Sequence, residues 1–168
     1  MGLLFGLALI FALFVSYSPA QDTVKISGKV TAAAVERPTV EFDDAEGHMI
    51  FVSKWEGVNV STDEDKFMDG AKVVIVSCGD YVKGNGPFWG YVKMSLNGDV
   101  VFSKLKGNTT TTLDQKGRPV TEFEGGMKFV KGTGEYENIQ GNGTFKSKMI
   151  ATTMQKSKWE GEYFIEKK

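Results

Sequence analysis

The chain has few of the residues on which several common functional sites depend. It has one cysteine, Cys78, so an intramolecular disulfide is excluded. It has one histidine, His48, which excludes a His-rich zinc site and leaves that residue as the only possible base of a Ser-His-Asp triad. No Gly-x-Ser-x-Gly nucleophile elbow accompanies it. Because His48 follows Gly47 at the start of an apolar segment, we expect a solvent-facing histidine at a strand end.

Neither sign of charge is in excess. The 20 basic and 21 acidic residues give a formal net charge of −1, and without a basic run no nucleic-acid partner is predicted. Asp63-Glu64-Asp65 suggests a calcium loop, but Phe67 stands where an EF-hand needs an oxygen ligand, so we interpret the segment as a solvated acidic loop. No Gly-x-Gly triplet is followed by a predicted helix, so these triplets are not expected to bind phosphate. No metal or cofactor is predicted.

Long apolar runs are also missing after the first residues of the chain. The run at residues 3–15 is uncharged and shorter than the ~20 residues that a membrane-spanning helix needs. Small residues at Ser18 and Ala20 then fit a signal-peptidase site. We therefore expect a signal peptide at 1–20, with Gln21 as the first mature residue and one domain over 21–168. Localisation is predicted to be secreted or periplasmic, without stable membrane insertion.

From residue 24 onward, apolar residues recur at a period of two, and no long segment repeats them at helical spacing. Twelve Phe, five Tyr and three Trp supply large apolar area for packing. Asn97-Gly98 is a two-residue hairpin signal, Asn142-Gly143 is similar, and 116–119 predicts a wider loop. Helical turns are expected only within 42–47 and 61–70. The predicted strands are 24–33, 48–58, 71–78, 88–96, 100–105, 120–130, 143–150 and 159–166.

About eight antiparallel strands must close into a barrel or stack as two sheets, because one open sheet would expose a face and two edges. Several glycines fall inside or at the ends of predicted strands, where a missing side chain permits the bends of a small barrel. We therefore expect an all-β fold that is a single antiparallel β-barrel. These glycines are Gly28, Gly57, Gly90, Gly126, Gly134 and Gly161.

The pentapeptide Ser-Lys-Trp-Glu-Gly occurs twice, at 53–57 and at 157–161. Two distant copies do not indicate a solenoid, which needs at least about three repeats at a short period. We attribute the repeated pentapeptide to the similar composition of two strands. The alternative is that Trp55 and Trp159 occupy neighbouring strands where the barrel closes.

A glycine-rich segment in the second half of the chain resembles a known family. Gly132-Thr133-Gly134-Glu135-Tyr136 forms its centre, between Gly125-Gly126 and the stretch 141–145. It looks like the allene oxide cyclase-like barrel superfamily, in which dirigent proteins carry a similar Gly-Thr-Gly-x-aromatic step. The resemblance implies an eight-stranded antiparallel barrel with an apolar cavity, often trimeric, in which some members cyclise or couple lipid-like or phenolic substrates. No catalytic residue carries over, and a single cysteine departs from the usual dirigent disulfide.

The first functional hypothesis is a barrel that binds a small apolar or aromatic ligand, because a closed barrel of this size holds one small molecule. Cys78 ends a Val/Ile-rich run, where a buried structural thiol is usual. The alternative is a thiol at the barrel mouth beside Asp80 and Tyr81. The candidate ligand-binding residues are Cys78, Asp80, Tyr81, Trp89 and Tyr91, with the aromatic ones near the mouth.

Two other functions are compatible with the sequence. A cofactor-free cyclase or isomerase would use Cys78, Asp80, Tyr81 or Glu122 as polar groups in the same cavity. The alternation within 120–130 places Glu122 opposite the apolar face, so it is expected to face water. A structural or assembly protein would instead expose an apolar patch on its surface. The resemblance adds the expectation of a homo-oligomer, specifically a trimer.

Overall fold

The computed structural model describes residues 22–167, so the signal peptide predicted at 1–20 lies outside the described residues. The described part of the chain is almost entirely strand, with one 3-10 turn at Gly134–Tyr136. Among these residues no helix has the length and apolarity that a membrane crossing requires. The strands are β1 (Val24–Glu36), β2 (Thr39–Phe42), β3 (His48–Ser61), β4 (Lys72–Val82), β5 (Gly86–Leu96), β6 (Asp99–Leu113), β7 (Pro119–Gly132), β8 (Ile139–Ala151) and β9 (Met154–Ile165).

The strands close into a barrel. From β3 to β9 each strand pairs antiparallel with the next one along the chain, and β1 then pairs antiparallel with both β9 and β3. β2 lies outside this ring and pairs with the first residues of β3. The nine-stranded sheet is thus a closed eight-stranded antiparallel barrel with one additional strand. The strand order confirms the predicted single antiparallel β-barrel of about eight strands.

The loop between β3 and β4 closes one end of the barrel, which we call the floor. Its residue Phe67 is only 2% exposed, and its neighbour Met68 is buried as well. Four aromatic rings surround Phe67 with centroid distances of 5.2 to 6.0 Å. These rings belong to Phe129, Tyr136, Trp159 and Tyr163.

The interpretation of this segment as a solvated acidic loop is only partly right. Glu64 and Asp65 are exposed, as expected. Asp63 instead fixes the loop to the barrel, because its carboxylate accepts hydrogen bonds from the Ser27 backbone N–H (2.9 Å) and the Ser61 hydroxyl (2.8 Å). Partial burial alone would raise the pKa of Asp63, but the hydrogen bonds to its charged form, these two among them, together lower it. The loop is therefore a structural part of the barrel floor.

The alternative hypothesis, that the two tryptophans of the repeated pentapeptide occupy neighbouring strands, is wrong. Trp55 lies on β3 and Trp159 on β9, and β1 runs between these strands and pairs with both. Both side chains are nevertheless buried inside the barrel. The indole N–H of Trp55 donates to the Ser53 hydroxyl, and that of Trp159 donates to the Asn59 side-chain oxygen, each at 3.0 Å.

Of the two Asn-Gly dipeptides that predicted a turn, one forms a turn and the other does not. Asn97-Gly98 forms the two-residue connection between β5 and β6, with positive φ at both positions. Asn142-Gly143 lies inside β8, so the turn expected there is wrong. The segments 42–47 and 61–70 contain turns without a helix.

Gly28 provides a direct test of barrel packing. A Cβ atom at this position would lie 2.6 to 2.8 Å from the indole ring of Trp159, which is itself buried and hydrogen-bonded. We expect Gly28→Ala to lower the free energy of unfolding by about 1–3 kcal/mol, because the added methyl group would displace the indole and strain its hydrogen bond to Asn59. Denaturant unfolding followed by circular dichroism measures the change.

Gly126 is the matched control. It is also a strand glycine, but a Cβ atom there would meet only the Gly143 carbonyl oxygen at 3.8 Å. Gly126→Ala should leave the unfolding free energy within roughly 0.5 kcal/mol of the parent value. Equal effects of the two substitutions would contradict the close packing of Trp159 on Gly28.

Candidate functional site

The barrel encloses a cavity of about 540 Å³. Its wall is built from the inward-facing residues of the barrel strands, since side chains alternate between the two faces of each strand. The wall is mostly apolar and rich in aromatic rings. The rings are those of Phe51, Trp55, Tyr81, Phe88, Phe123, Phe145 and Trp159.

The cavity exists because many inward positions carry small side chains. An eight-stranded barrel is just wide enough to be filled by large residues or to hold one small molecule. Here Ser53 on β3, Ser77 on β4, Ser103 on β6 and Ser157 on β9 line the interior where larger apolar residues would fill it. The central space is left open as a result.

The cavity opens at the end of the barrel opposite the floor. There its lining residues include several that are also exposed to solvent. We call this end the mouth; it comprises the turn after β1, the start of β7 and the turn between β8 and β9. Its exposed lining residues are Arg37, Pro119, Ile150, Ala151 and Thr152.

Hydroxyl groups inside the cavity are paired across neighbouring strands. The Ser53 and Ser77 hydroxyls are 2.9 Å apart, and those of Ser147 and Ser157 are 2.7 Å apart. In the part of the chain that the structure describes, no buried side-chain nitrogen or oxygen lacks a hydrogen-bond partner. The polar groups are therefore satisfied without a ligand, and a hydroxyl still has capacity to bond one.

Tyr81 is the candidate from the sequence that the structure places in the cavity. It is buried on the inner face of β4, and the Thr109 hydroxyl donates a hydrogen bond to its phenolic oxygen. Burial raises the pKa of Tyr81 to about 12, against smaller opposing effects of the Thr109 hydrogen bond and the positive charge of Arg37. The phenol is therefore protonated at neutral pH and its O–H is a hydrogen-bond donor.

The other candidates lie on the outer face, which corrects the expectation that they gather at the mouth. Trp89 is 58% exposed and Tyr91 45% exposed on β5, pointing away from the cavity. On β4, Asp80 is exposed and Cys78 is half-buried, and both have the opposite orientation to Tyr81. None of these residues lines the cavity.

The sequence contained a signal for this orientation. On β5, Lys93 shares the parity of Trp89 and Tyr91, and a lysine marks the solvent face of a strand. On β4 the exposed Asp80 has the same parity as Cys78. By the same reasoning the prediction that Glu122 faces water is confirmed, because it is exposed on β7.

Sequence reasoning missed the residue with the only charge in the cavity wall. Arg37 follows β1 and is the one charged side chain among the described residues that line the cavity. Its guanidinium lies over the Trp55 ring, 5.4 Å from the centroid, and its Nη1 donates to the Thr152 carbonyl at 2.8 Å. A single arginine in a connecting turn has no periodic pattern by which to find it.

The single histidine lies on the outer surface at the start of β3. Its Nδ1 bonds the Asp44 carboxylate, and its Nε2 is 2.9 Å from Asp80 Oδ1. These two hydrogen bonds, the one to Asp44 first, raise the pKa of His48, while the bond to His48 lowers the pKa of Asp44. His48 therefore faces outward, as predicted, but joins β3 to its neighbours instead of lying free in solvent.

No group of His, Cys, Asp or Glu side chains within residues 22–167 is arranged to hold a metal ion. Asp63 uses its carboxylate on backbone and hydroxyl donors, and Asp69 accepts a hydrogen bond from the Ser61 backbone N–H at 2.9 Å. Asp63 and Asp69 thus hold the floor loop together.

Comparisons with known proteins yield fold matches only. No protein-family model matches the sequence, and no curated protein matches it. Among solved structures the chain is similar to "the pterocarpan synthase dirigent protein PsPTS1", with 11% identity over 88% of this chain and 97% of that one, at a TM-score of 0.47. The pterocarpan synthase dirigent protein GePTS1 matches with 11% identity over 95% and 98% of the two chains, at the same TM-score.

The ring of His48 should titrate above its ordinary pKa of about 6.5 in the folded protein. Because the chain has one histidine, its C–H resonances in a proton NMR titration of the untagged protein are unambiguous. Since the folded pKa is raised, the stability that these bonds contribute is fully present below the unfolded pKa and is lost as pH rises through the folded pKa. Unfolding measured against His48→Gln should show this loss.

Asp44→Asn should lower the His48 pKa, whereas Asp43→Asn, which changes a neighbouring carboxylate that does not bond the ring, should leave it unchanged. A wild-type histidine that titrates at or below its ordinary value would show that the Asp44 and Asp80 bonds do not hold the charged form.

Proposed function

We propose that this barrel binds a small apolar or aromatic ligand in its central cavity. The observation that carries the proposal is the cavity itself, about 540 Å³ in volume, lined mainly by apolar side chains and open at one end. Pockets for small organic ligands have volumes of roughly 300–1,000 Å³ and similar walls. The volume suits one ligand of modest size.

Aromatic rings line the cavity wall from the floor to the mouth, and their flat faces are apolar contact surfaces for a ligand. Trp159 lies towards the floor, Trp55 lies beneath Arg37 at the mouth, and Phe88 contacts Phe123 and Phe145 edge to face at 6.0 Å. Rings arranged in this way pack well against aliphatic chains and aromatic ligands alike. Ligand orientation would come from the few polar groups, of which the Tyr81 O–H is a donor inside the cavity.

A cofactor-free cyclase or isomerase in the same cavity is a less well supported function. Proton transfer at neutral pH is most efficient when a group has a pKa near neutrality. The titratable side chains of the described cavity wall are Tyr81, whose pKa is raised to about 12, and Arg37. These groups suit hydrogen bonding and charge attraction better than proton abstraction.

Compartment and assembly are separate proposals. The apolar run at 3–15 and the small residues before Gln21 support an exported protein that binds its ligand in the periplasm or outside the cell. A homo-oligomer is proposed from the resemblance to dirigent-like barrels. N-terminal sequencing of the exported protein tests the first proposal, and sedimentation equilibrium tests the second.

Ligand binding is tested with neutral apolar probes, because a neutral probe isolates the apolar cavity from its charged mouth. Nile red and decan-1-ol should bind saturably, and the emission of Trp55 and Trp159 should change while Trp89→Phe removes the exposed background. Val92→Phe, which adds a ring inside the cavity, should weaken binding by at least about tenfold, or roughly 1.4 kcal/mol.

Val76→Phe is the control for this experiment. It makes the same substitution on the outer face of the adjacent strand β4, where Val76 is exposed, and should leave affinity unchanged. Ser103→Leu supplies a second block from β6 if Val92→Phe fails to fold. Absence of saturable binding by any neutral probe, or equal affinities of the inner and outer variants, would refute binding in the cavity.

A further inference from the structure

The charges around the cavity are distributed asymmetrically. Although acidic and basic residues are nearly balanced over the whole chain, no carboxylate belongs to the described cavity wall, and Arg37 supplies its one charge. The nearest acidic neighbour in sequence, Glu36, pairs in register with Lys54 on the outer face. A molecule entering the mouth therefore meets positive charge without a compensating negative group in the wall.

Arg37 is held across the mouth, and its hydrogen-bonding capacity is only partly used. Its guanidinium rests on the Trp55 ring, and its Nη1 reaches the Thr152 carbonyl on the turn between β8 and β9. A guanidinium has five N–H donors in a planar fork that matches a carboxylate. Within residues 22–167 no acidic side chain lies at ion-pair distance from it.

The second arginine of the chain has an ion-pair partner and provides a comparison for Arg37. Arg118 lies in the loop before Pro119 at the same end of the barrel. It forms an ion pair with Asp114, with Nη2 and Oδ2 2.7 Å apart, and its Nε donates to the same oxygen at 2.8 Å. Among the described residues Arg37 has no such partner, so of the two guanidinium groups at this end of the barrel the one in the cavity wall lacks an ion pair.

The positive charge reaches into the cavity. Burial is the main influence on the pKa of Tyr81 and raises it, while the charge of Arg37 acts in the opposite direction, which places the phenol within the field of the guanidinium. The Thr109 hydroxyl donates to the Tyr81 oxygen, so the phenolic O–H is left to donate elsewhere. An acidic group near the mouth would thus find a cation and a neutral donor on one path.

We infer that the ligand is an anionic amphiphile, an apolar body that carries one acidic group such as a carboxylate, and that Arg37 binds this group at the mouth. The apolar body would occupy the cavity, with the acidic group directed at Arg37 and solvent. The inference rests on the proposed function and adds to it the charge of the ligand and the residue that selects it.

The experiment compares decanoate with decan-1-ol, which have the same chain length and differ in the charged group. Both displace Nile red, and affinity is measured for the parent and for Arg37→Gln. We expect the parent to prefer decanoate by at least about fivefold, as a charge-assisted contact at a partly exposed site allows. Arg37→Gln should abolish the preference, so that decanoate and decan-1-ol bind this variant with equal affinity.

Two further variants separate the specific role of Arg37 from general charge effects. Arg37→Lys keeps the positive charge but loses the planar set of N–H donors, and should retain part of the preference for decanoate. Arg118→Gln removes a charge that is already paired with Asp114 at the same end of the barrel. This variant should retain the full preference for decanoate. Raising NaCl from about 0.05 M to about 0.5 M should reduce the preference in the parent, because the mouth is exposed to solvent.

The outcomes distinguish the two proposals. Equal affinity of the parent for decanoate and decan-1-ol would overturn the anion inference and leave the binding function standing. A preference that survives in Arg37→Gln, or that is lost in Arg118→Gln, would overturn the assignment to Arg37. If neither compound displaces the dye and the dye itself does not bind, the proposed function and the inference fail together.

Discussion

The structure depends on the hydrogen-bonded closure of the sheet by β1. Because β1 pairs along one side with β9 and along the other with β3, the barrel strands form a ring without a free edge. Closure also divides every strand into an inner and an outer face, and residues paired in register share a face. The position of each functional group, inside the cavity or on the outer surface, follows from the register in which the ring closes.

Most of the barrel strands could be predicted from the sequence because their apolar residues recur at a period of two. β2 was not predicted, because Thr39–Phe42 has four residues, which are too few to establish a period, and all four are exposed. The composition of the floor loop gave no indication of a buried segment, since Phe67 lies among acidic residues. Phe67 is buried because the loop closes one end of the barrel. At Asn142-Gly143 the local turn preference was overridden, because β8 pairs there with both β7 and β9.

The candidate site was less predictable than the fold because a site depends on which face a residue occupies. β4 carries apolar residues on both faces, with Val73 inside and Val76 outside, so hydrophobicity alone does not orient it. Aromatic content was taken as a sign of ligand contact, yet Trp89 lies outside and Trp55 inside. The cavity itself arises from small inward residues contributed by strands far apart in sequence. No single segment shows that combination.

The sign of the charge at the mouth is decided by one additional residue in β1. Ala34 pairs with Trp55 on the inner face and Glu36 with Lys54 on the outer face, so Val35 is an extra residue that forms a β-bulge. Regular alternation would have pointed Glu36 into the barrel and Arg37 away from it. A carboxylate in that place would repel the acidic group that a guanidinium attracts. The bulge thus converts a Glu-Arg pair, which is neutral overall, into a cation that faces the cavity and an anion that faces Lys54.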